Sequence, residues 1–148
     1  SLFNGFGRFL WGGLSDKLGR TNVFRLLLGT QLIAFIIMVF TGSPWIFGIL
    51  VCYVLLCYGG GFGTMPSFVT DVYGAKLMPN VYGVILTAWA AAGVVGPQIF
   101  ALIKDKFAEN AATYSFYTGA AFLAVGLVFS LLLNDNKLTP KAEVPKSA

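Results

Sequence analysis

The chain has 148 residues, of which 57% are apolar and only 11% charged, with a formal net charge of +4. Water-soluble domains carry about 25% charged residues, so these residues cannot cover a globular surface, and a membrane protein is the direct inference. There is no histidine, which removes the commonest metal ligand and the commonest general base; no cofactor and no nucleic-acid partner are expected.

In chain order, five apolar segments are predicted, all helical. The first, Leu2 to Leu14, is short of the roughly 20 residues needed to cross a hydrocarbon core. No Met opens the chain and no basic leader precedes the apolar residues, so no signal peptide is expected. The chain reads as beginning in mid-helix, a fragment of a longer protein. The second segment, Val23 to Thr41, is about long enough to span. Gly42-Ser43-Pro44 breaks it, with Pro44 suited to the first turn of the next helix. The third, Trp45 to about Val69, contains Gly59-Gly60-Gly61-Phe62-Gly63 and then Pro66. A turn at Leu77-Met78-Pro79-Asn80 leads to the fourth, Val81 to Ile103. The fifth, Thr113 to Leu133, ends at Asn134-Asp135-Asn136. The expected organisation is five segments over residues 1–134 and a polar tail over 135–148. Cys52 and Cys57 point to different helix faces, so neither a disulfide nor a metal pair is expected.

Basic residues set the orientation. Lys17, Arg20, Arg25, Lys76, Lys137, Lys141 and Lys146 fall on one side if crossings alternate, against Lys104 and Lys106 on the other. The first side, with the tail, is therefore expected to be cytoplasmic. Arg8 belongs to neither. It lies eight residues from Asp16, about 12 Å along a helix, well inside a core roughly 30 Å thick. A guanidinium there costs at least about 2.5 kcal/mol on insertion scales. A water-filled cavity and an anionic ligand would offset that cost, and the fork matches a carboxylate in bidentate geometry. Asp16, Asp71, Asp105 and Glu109 map to segment ends, and Asp135 and Glu143 to the tail, so no intramembrane acid is available to Arg8. The alternative is a snorkelling or structurally paired arginine.

Acid, base and glycine crowd together only at Gly12-Gly13-Leu14-Ser15-Asp16-Lys17-Leu18-Gly19-Arg20, read as a turn between two membrane helices. Gly12 and Gly13 would let neighbouring helices approach closely. Gly19 would supply a turn position of positive φ. Asp16 is placed to meet a helix N-terminus or a basic side chain. Arg20 is within reach of Asp71 at the end of the third segment, and Asp16, Arg20 and Asp71 are read as a conformational latch; the alternative is a solvated polar turn. Gly60 and its neighbours are not a phosphate cradle, lacking the Lys-Ser/Thr of a P-loop. They either permit tight packing or, with Pro66, soften the helix for bending. The fourth segment carries a small-residue face around Ala88, Ala92 and Gly96, with Gly93 and Pro97 beside it.

The stretch Gly12 to Arg20 resembles the Gly-x-Leu-x-Asp-Arg-x-Gly-Arg loop signature of the major facilitator superfamily, with Lys17 in place of one arginine. Asn4-Gly5-Phe6-Gly7-Arg8, Tyr58 to Pro66, Thr87-Ala88-Trp89 and Gly93-Val94-Val95-Gly96-Pro97 resemble the oxalate/formate antiporter family. The resemblance implies an all-α, polytopic helical membrane bundle, part of the C-terminal half of that fold: helices 8 to 12. By the superfamily's internal symmetry, Asp16 would meet helix 5 of the N-terminal half, which is missing here. The resemblance further implies transport of a small carboxylate by alternating access, with Arg8 and Trp89 at the substrate. Tyr58, Tyr53 and Gln98 are polar enough to line a cavity. Oxalate carriers resemble this pattern but hold a lysine where Ala92 stands, and one cation rather than two suits a monocarboxylate by charge matching. No membrane-embedded acid or histidine is present to carry a proton, which favours exchange. A multi-pass cell-membrane location follows, with the lipid bilayer and the missing half as partners. Two readings remain open: the same fold with a sugar or drug as cargo, or a membrane structural module without transport. An enzyme is not expected, since no paired carboxylates, Ser–Lys pair or metal-ligand set lies at mid-membrane depth.

Overall fold

In hydrocarbon no water satisfies backbone N–H and C=O groups, so an apolar segment meets that requirement by forming a helix. The computed structural model, which describes residues 1–133, follows this rule throughout. Helix α1 spans Leu2–Leu18, α2 Arg20–Phe40, α3 Pro44–Tyr73, α4 Met78–Lys106 and α5 Ala111–Leu132, with a 3-10 turn at Ala108–Asn110 before α5. No strand occurs among the described residues. Four of the five helices are long and apolar enough to cross a membrane; α1, with 17 residues, is not among them. The expected tail at 135–148, with the segment end at Asn134, lies outside the described residues.

Two sharp reversals rest on glycines. Gly19 has φ 86° and ψ 146°, and Gly74 φ 80° and ψ 159°, a region essentially confined to glycine and costing other residues about 1–3 kcal/mol. The Gly19 amide donates to the Ser15 carbonyl at 3.1 Å and the Gly74 amide to Thr70 at 2.8 Å, so each helix closes its last turn before the chain reverses. This revises two expectations. Gly12 to Leu18 is not a turn but the end of α1, and the reversal is confined to Gly19. Similarly, Met78, Pro79 and Asn80 already belong to α4, and the preceding turn is Gly74 to Leu77. Pro79 sits in the first turn, where its missing N–H is not needed. Pro44 does the same for α3, which then runs helically through the glycine cluster and Pro66 to Tyr73.

The tightest packing joins α1 to α3. They run parallel, as alternate crossings require, and their contacts advance in matching steps of one turn. A β-carbon at Gly59 would collide with the Asn4 backbone, and one at Gly63 would meet the Arg8 carbonyl at 2.9 Å. On the neighbouring row Gly7 abuts the Leu56 backbone and Gly60 carries the Trp11 ring. Gly59 and Gly63 thus form a small-xxx-small face. Within the cluster, Gly59, Gly60 and Gly63 sit against α1, while Gly61 faces open space. A β-carbon at Gly12, Gly13, Gly93 or Gly96 would meet nothing within 4 Å among the described residues. The rotation of α1 about its axis turns Gly7, Trp11 and Ser15 inward instead.

Around this seam sits a small core of Trp11, Val23, Leu27 and Cys57, with Leu14, Phe24, Tyr53 and Leu56 packed on it. Cys52 and Cys57 are free thiols. Helix α5 lies on α2, with the Phe35 ring against Gly119 and Leu28 against Gly126. Phe116 is met edge-on by Phe35 at 6.0 Å and Phe47 at 5.9 Å. Helix α4, which carries Gly93, Gly96 and Pro97, has no buried residue and stands at the margin. In a full-length protein, Gly59→Ala is expected to lower the thermal midpoint by the equivalent of about 1–3 kcal/mol, as overpacking does. Gly61→Ala is expected to leave it unchanged or raise it, since Ala gains up to ~1 kcal/mol over Gly inside a helix. Melting of the two variants in detergent checks both signs.

Candidate functional site

A polar network closes one end of the bundle. Arg20 follows Gly19 directly, so the reversal throws its side chain back across the ends of α1 and α3. Its Nη2 lies 2.7 Å from Asp16 Oδ1, and its Nε donates to Asp71 Oδ2 at 2.9 Å. Nη1 donates to the Ser15 hydroxyl, which itself donates to the Gly12 carbonyl at 2.6 Å. One guanidinium therefore ties α2 to α1 and α3, using the planar fork that distinguishes Arg from Lys. The guanidinium is only 20% exposed, whereas the carboxylates of Asp16 and Asp71 are 65% and 45% exposed. Solvent screening at the acids limits each pair to about 0–1 kcal/mol, so the network biases a geometry without clamping it.

Arg25, one turn further along α2, was read only as an orientation charge. Its Nε donates to the Ser130 carbonyl at 3.2 Å and its Nη2 to the Leu133 carbonyl at 2.7 Å, while Nη1 meets Asn22 Oδ1 at 3.1 Å. It thus supplies donors to carbonyls at the end of α5 that no further helical turn satisfies. Spacing along the chain carries no trace of a contact made across more than a hundred residues. Through Arg20 and Arg25 the Gly19 turn, the end of α3 and the end of α5 lie on one side, as alternate crossings demand.

Arg8 is different. It lies in the middle of α1 with its backbone against Gly63 and its side chain exposed. Among the described residues it has no ion pair and no hydrogen-bond partner. Gly63 precedes Asp71 by the same eight residues that separate Arg8 from Asp16. Arg8 therefore stands about 12 Å inside the polar network along both helices.

Tyr58 and Trp89, distant in sequence, meet. Trp89 Nε1 donates to Tyr58 Oη at 3.1 Å. The Phe62 ring stands edge-on to both, at 5.1 Å from Tyr58 and 5.6 Å from Trp89. This trio lines a cavity of about 390 Å³ between α2, α3 and α4, which Gln31 and Tyr82 also line. Arg8 does not line it. The structure thus brings two of the three expected substrate residues together, and the third, Arg8, is not among those lining this cavity. Tyr53 packs on the core, and Gln98 is exposed on α4. Phe62 and Gln31 were not singled out from sequence, because an apolar helix gives no sign of which face meets a neighbour.

A sequence model of the Major Facilitator Superfamily matches residues 1–97. The chain is 27% identical over 114 residues to the oxalate:formate antiporter of Oxalobacter formigenes, covering 76% of this chain and 27% of that protein. It is 29% identical over 115 residues to apicoplast pyruvate carrier 1 of Toxoplasma gondii, covering 76% of this chain and 20% of that protein. With monocarboxylate transporter 14 of Mus musculus it shares 26% identity over 129 residues, covering 86% and 25% respectively. The chain spans about a quarter of the length of these curated relatives. No solved structure matches it.

A double-mutant cycle on Arg20 and Asp71 is expected to show a coupling of about 0.2–1 kcal/mol in thermal stability. Exchanging the two charges, Arg20→Asp with Asp71→Arg, should recover part of it. Coupling indistinguishable from zero would mean that the contact does not hold the helix ends together.

Proposed function

The chain belongs to the Major Facilitator Superfamily, and from that premise we propose that it forms helices 8 to 12 of a secondary transporter for small carboxylates. The observation that carries the reading is the guanidinium of Arg8, unpaired among the described residues and set in an apolar stretch of α1. A cation left bare in hydrocarbon is costly; a carboxylate arriving in a water-filled path between two halves removes that cost for part of each cycle. The resemblance to carriers of oxalate, formate and pyruvate supports the same cargo class. A single embedded arginine, with Ala92 where oxalate carriers hold a lysine, supports a monocarboxylate such as formate, lactate or pyruvate.

The mechanism is alternating access at the membrane midplane. The α1–α3 glycine seam fixes Arg8 rigidly in the bundle, so its guanidinium moves with the whole half. The remaining segments of the longer protein supply the facing wall. Arg8 receives the carboxylate in fork geometry, and the halves rock about it. No acid or histidine is embedded in these helices to carry a proton, so exchange against another anion drives the cycle. Asp16, Arg20 and Asp71 bias the balance by tying the cytoplasmic ends of α1, α2 and α3. Tyr58 and Trp89, joined by a hydrogen bond from the Trp89 N–H, complete the substrate site from α3 and α4. The protein resides in the cell membrane, with its C-terminus cytoplasmic.

Full-length protein in proteoliposomes tests this. Arg8→Gln is expected to raise KM for formate or lactate by about 10- to 100-fold, the loss of a charged hydrogen-bond pair worth about 1.5–3 kcal/mol. Arg8→Lys should recover only part. Competition by formate, lactate and oxalate, with none by neutral sugars, is the expected cargo pattern, and unchanged uptake in Arg8→Gln would remove the residue from the site. Asp71→Asn is expected to shift the inward/outward balance by a few-fold, on the scale of a ~1 kcal/mol ion pair. Paired-cysteine crosslinking reads that shift, and an unchanged ratio would leave the network a structural contact alone.

A further inference from the structure

We propose that the groove where α2, α3 and α5 meet seats one anionic phospholipid, its phosphate on Arg25 and one acyl chain along the groove. The leaflet is the one on the side of the Gly19 turn, cytoplasmic in the proposed orientation. Arg25 binds two backbone carbonyls and the Asn22 amide oxygen. All three are neutral, so its positive charge has no counter-charge among the described residues. Asp16 and Asp71 pair with Arg20. Asp105 and Glu109 stand at the far end of α4 and in the turn after it. Three of the five guanidinium N–H groups are engaged, which leaves two for a phosphate. Arg25 follows Arg20 by five residues, about 8 Å along α2, a depth from which a long basic side chain reaches the headgroups. Basic pockets between membrane helices recruit anionic headgroups in this way.

Ser130 and Leu133, whose carbonyls Arg25 binds, both line the groove, so the guanidinium stands at its mouth. The floor is Phe24 packed edge-on against Phe68 at 5.8 Å, and Leu28 and Met65 continue it inward. From Arg20 to Leu28 is eight residues, so the groove runs about 12 Å into the hydrocarbon. Its volume of about 280 Å³ falls just below the ~300 Å³ at which enclosed small-molecule sites begin. Its outer wall is open to lipid, with Phe129 66% and Leu133 42% exposed. That shape suits a chain lying along it better than a molecule enclosed by it. Gly126 keeps the inner end clear, since even a β-carbon there would already touch Leu28 at 3.6 Å. An independent observation points to a polar group at the mouth. Ser130 is 5% exposed, and its hydroxyl has no partner among the described residues. A buried hydroxyl left unsatisfied is costly, and a phosphate or glycerol-ester oxygen beside Arg25 would satisfy it.

The test uses the full-length protein in phosphatidylcholine nanodiscs and a matched pair of probes, phosphatidylglycerol and phosphatidylcholine, each with a diazirine in one acyl chain. After illumination, labelled positions are mapped by peptide mass spectrometry. The phosphatidylglycerol probe is expected to label Phe24, Met65 and Phe129 saturably, at least ten-fold above the choline probe. Arg25→Gln is expected to reduce this labelling about ten-fold with choline labelling unchanged, and Arg25→Lys to keep part of it. Gly126→Leu fills the groove and leaves Arg25 in place. It should reduce labelling similarly, and decides the matter should Arg25→Gln fail to fold. Free glycerol phosphate, which has no chains, should not displace the probe; displacement would mean a site for soluble phosphates and overturn the proposal. Equal labelling by the two probes, or unsaturable labelling spread over exposed positions such as Phe9 and Phe122, would show ordinary lipid contact and overturn it too. So would variants without effect, or labelling that arises only after deletion of residues 134–148, which would assign the groove to that segment. Labelling does not depend on transport, so a failed Arg8 test would leave this outcome readable.

Discussion

The contact between the backbones of α1 and α3 organises the rest of this bundle. Lipid chains are as apolar as leucine, so little hydrophobic gain drives one membrane helix onto another; close van der Waals fit must do it. Gly7, Gly59 and Gly63 remove the side chains that would hold the two backbones apart. The contact is parallel and steps by whole turns, so it sets the height of α1 as well as its rotation. That height puts Arg8 level with Gly63, and it brings Ser15 and Asp16 level with the end of α3, where Arg20 reaches all three helices.

Three arginines on two neighbouring helices show how depth and neighbours decide what one side chain does. Arg20, at a helix start between two carboxylates, becomes a bridge. Arg25 one turn deeper meets no acid; its donors go to helix-terminal carbonyls, where a cation also suits the negative end of the α5 dipole. Arg8 pairs with neither acid nor carbonyl among the described residues. The guanidinium is the same in each case, and the supply of acceptors at each height differs.

Helix α3 then meets chemically distinct surroundings. Gly59 and Gly63 meet the backbone of α1. Tyr58 and Phe62 line an uncharged aromatic cavity walled by a helix with no buried residue. Such an arrangement suits a protein in which one part must stay rigid around a charge while another shifts. The contact with α1 is cemented backbone to backbone, and that with α4 by one hydrogen bond and one edge-on ring contact.

The number and extent of the helices were legible in the residues themselves. Apolar runs of the right length form helices in lipid, and Gly42-Ser43-Pro44 marks one break, whereas the break at Gly19 was read too broadly, as Gly12 to Arg20. The anomalous depth of Arg8 and the proximity of Arg20 to Asp71 followed from counting residues along helices of known rise. What counting could not supply was rotation. A helix that is apolar all round has no preferred inner face written into it. For that reason nothing in the residues said that Gly59 and Gly63, and not Gly61, would meet α1, or that Tyr58 would meet Trp89. Only the assembled bundle selected the Gly7, Gly59 and Gly63 faces, sent Arg25 to the end of α5, and joined Tyr58 to Trp89. Those choices depend on which surfaces fit at contact distance, a property of helices in pairs that no single segment carries.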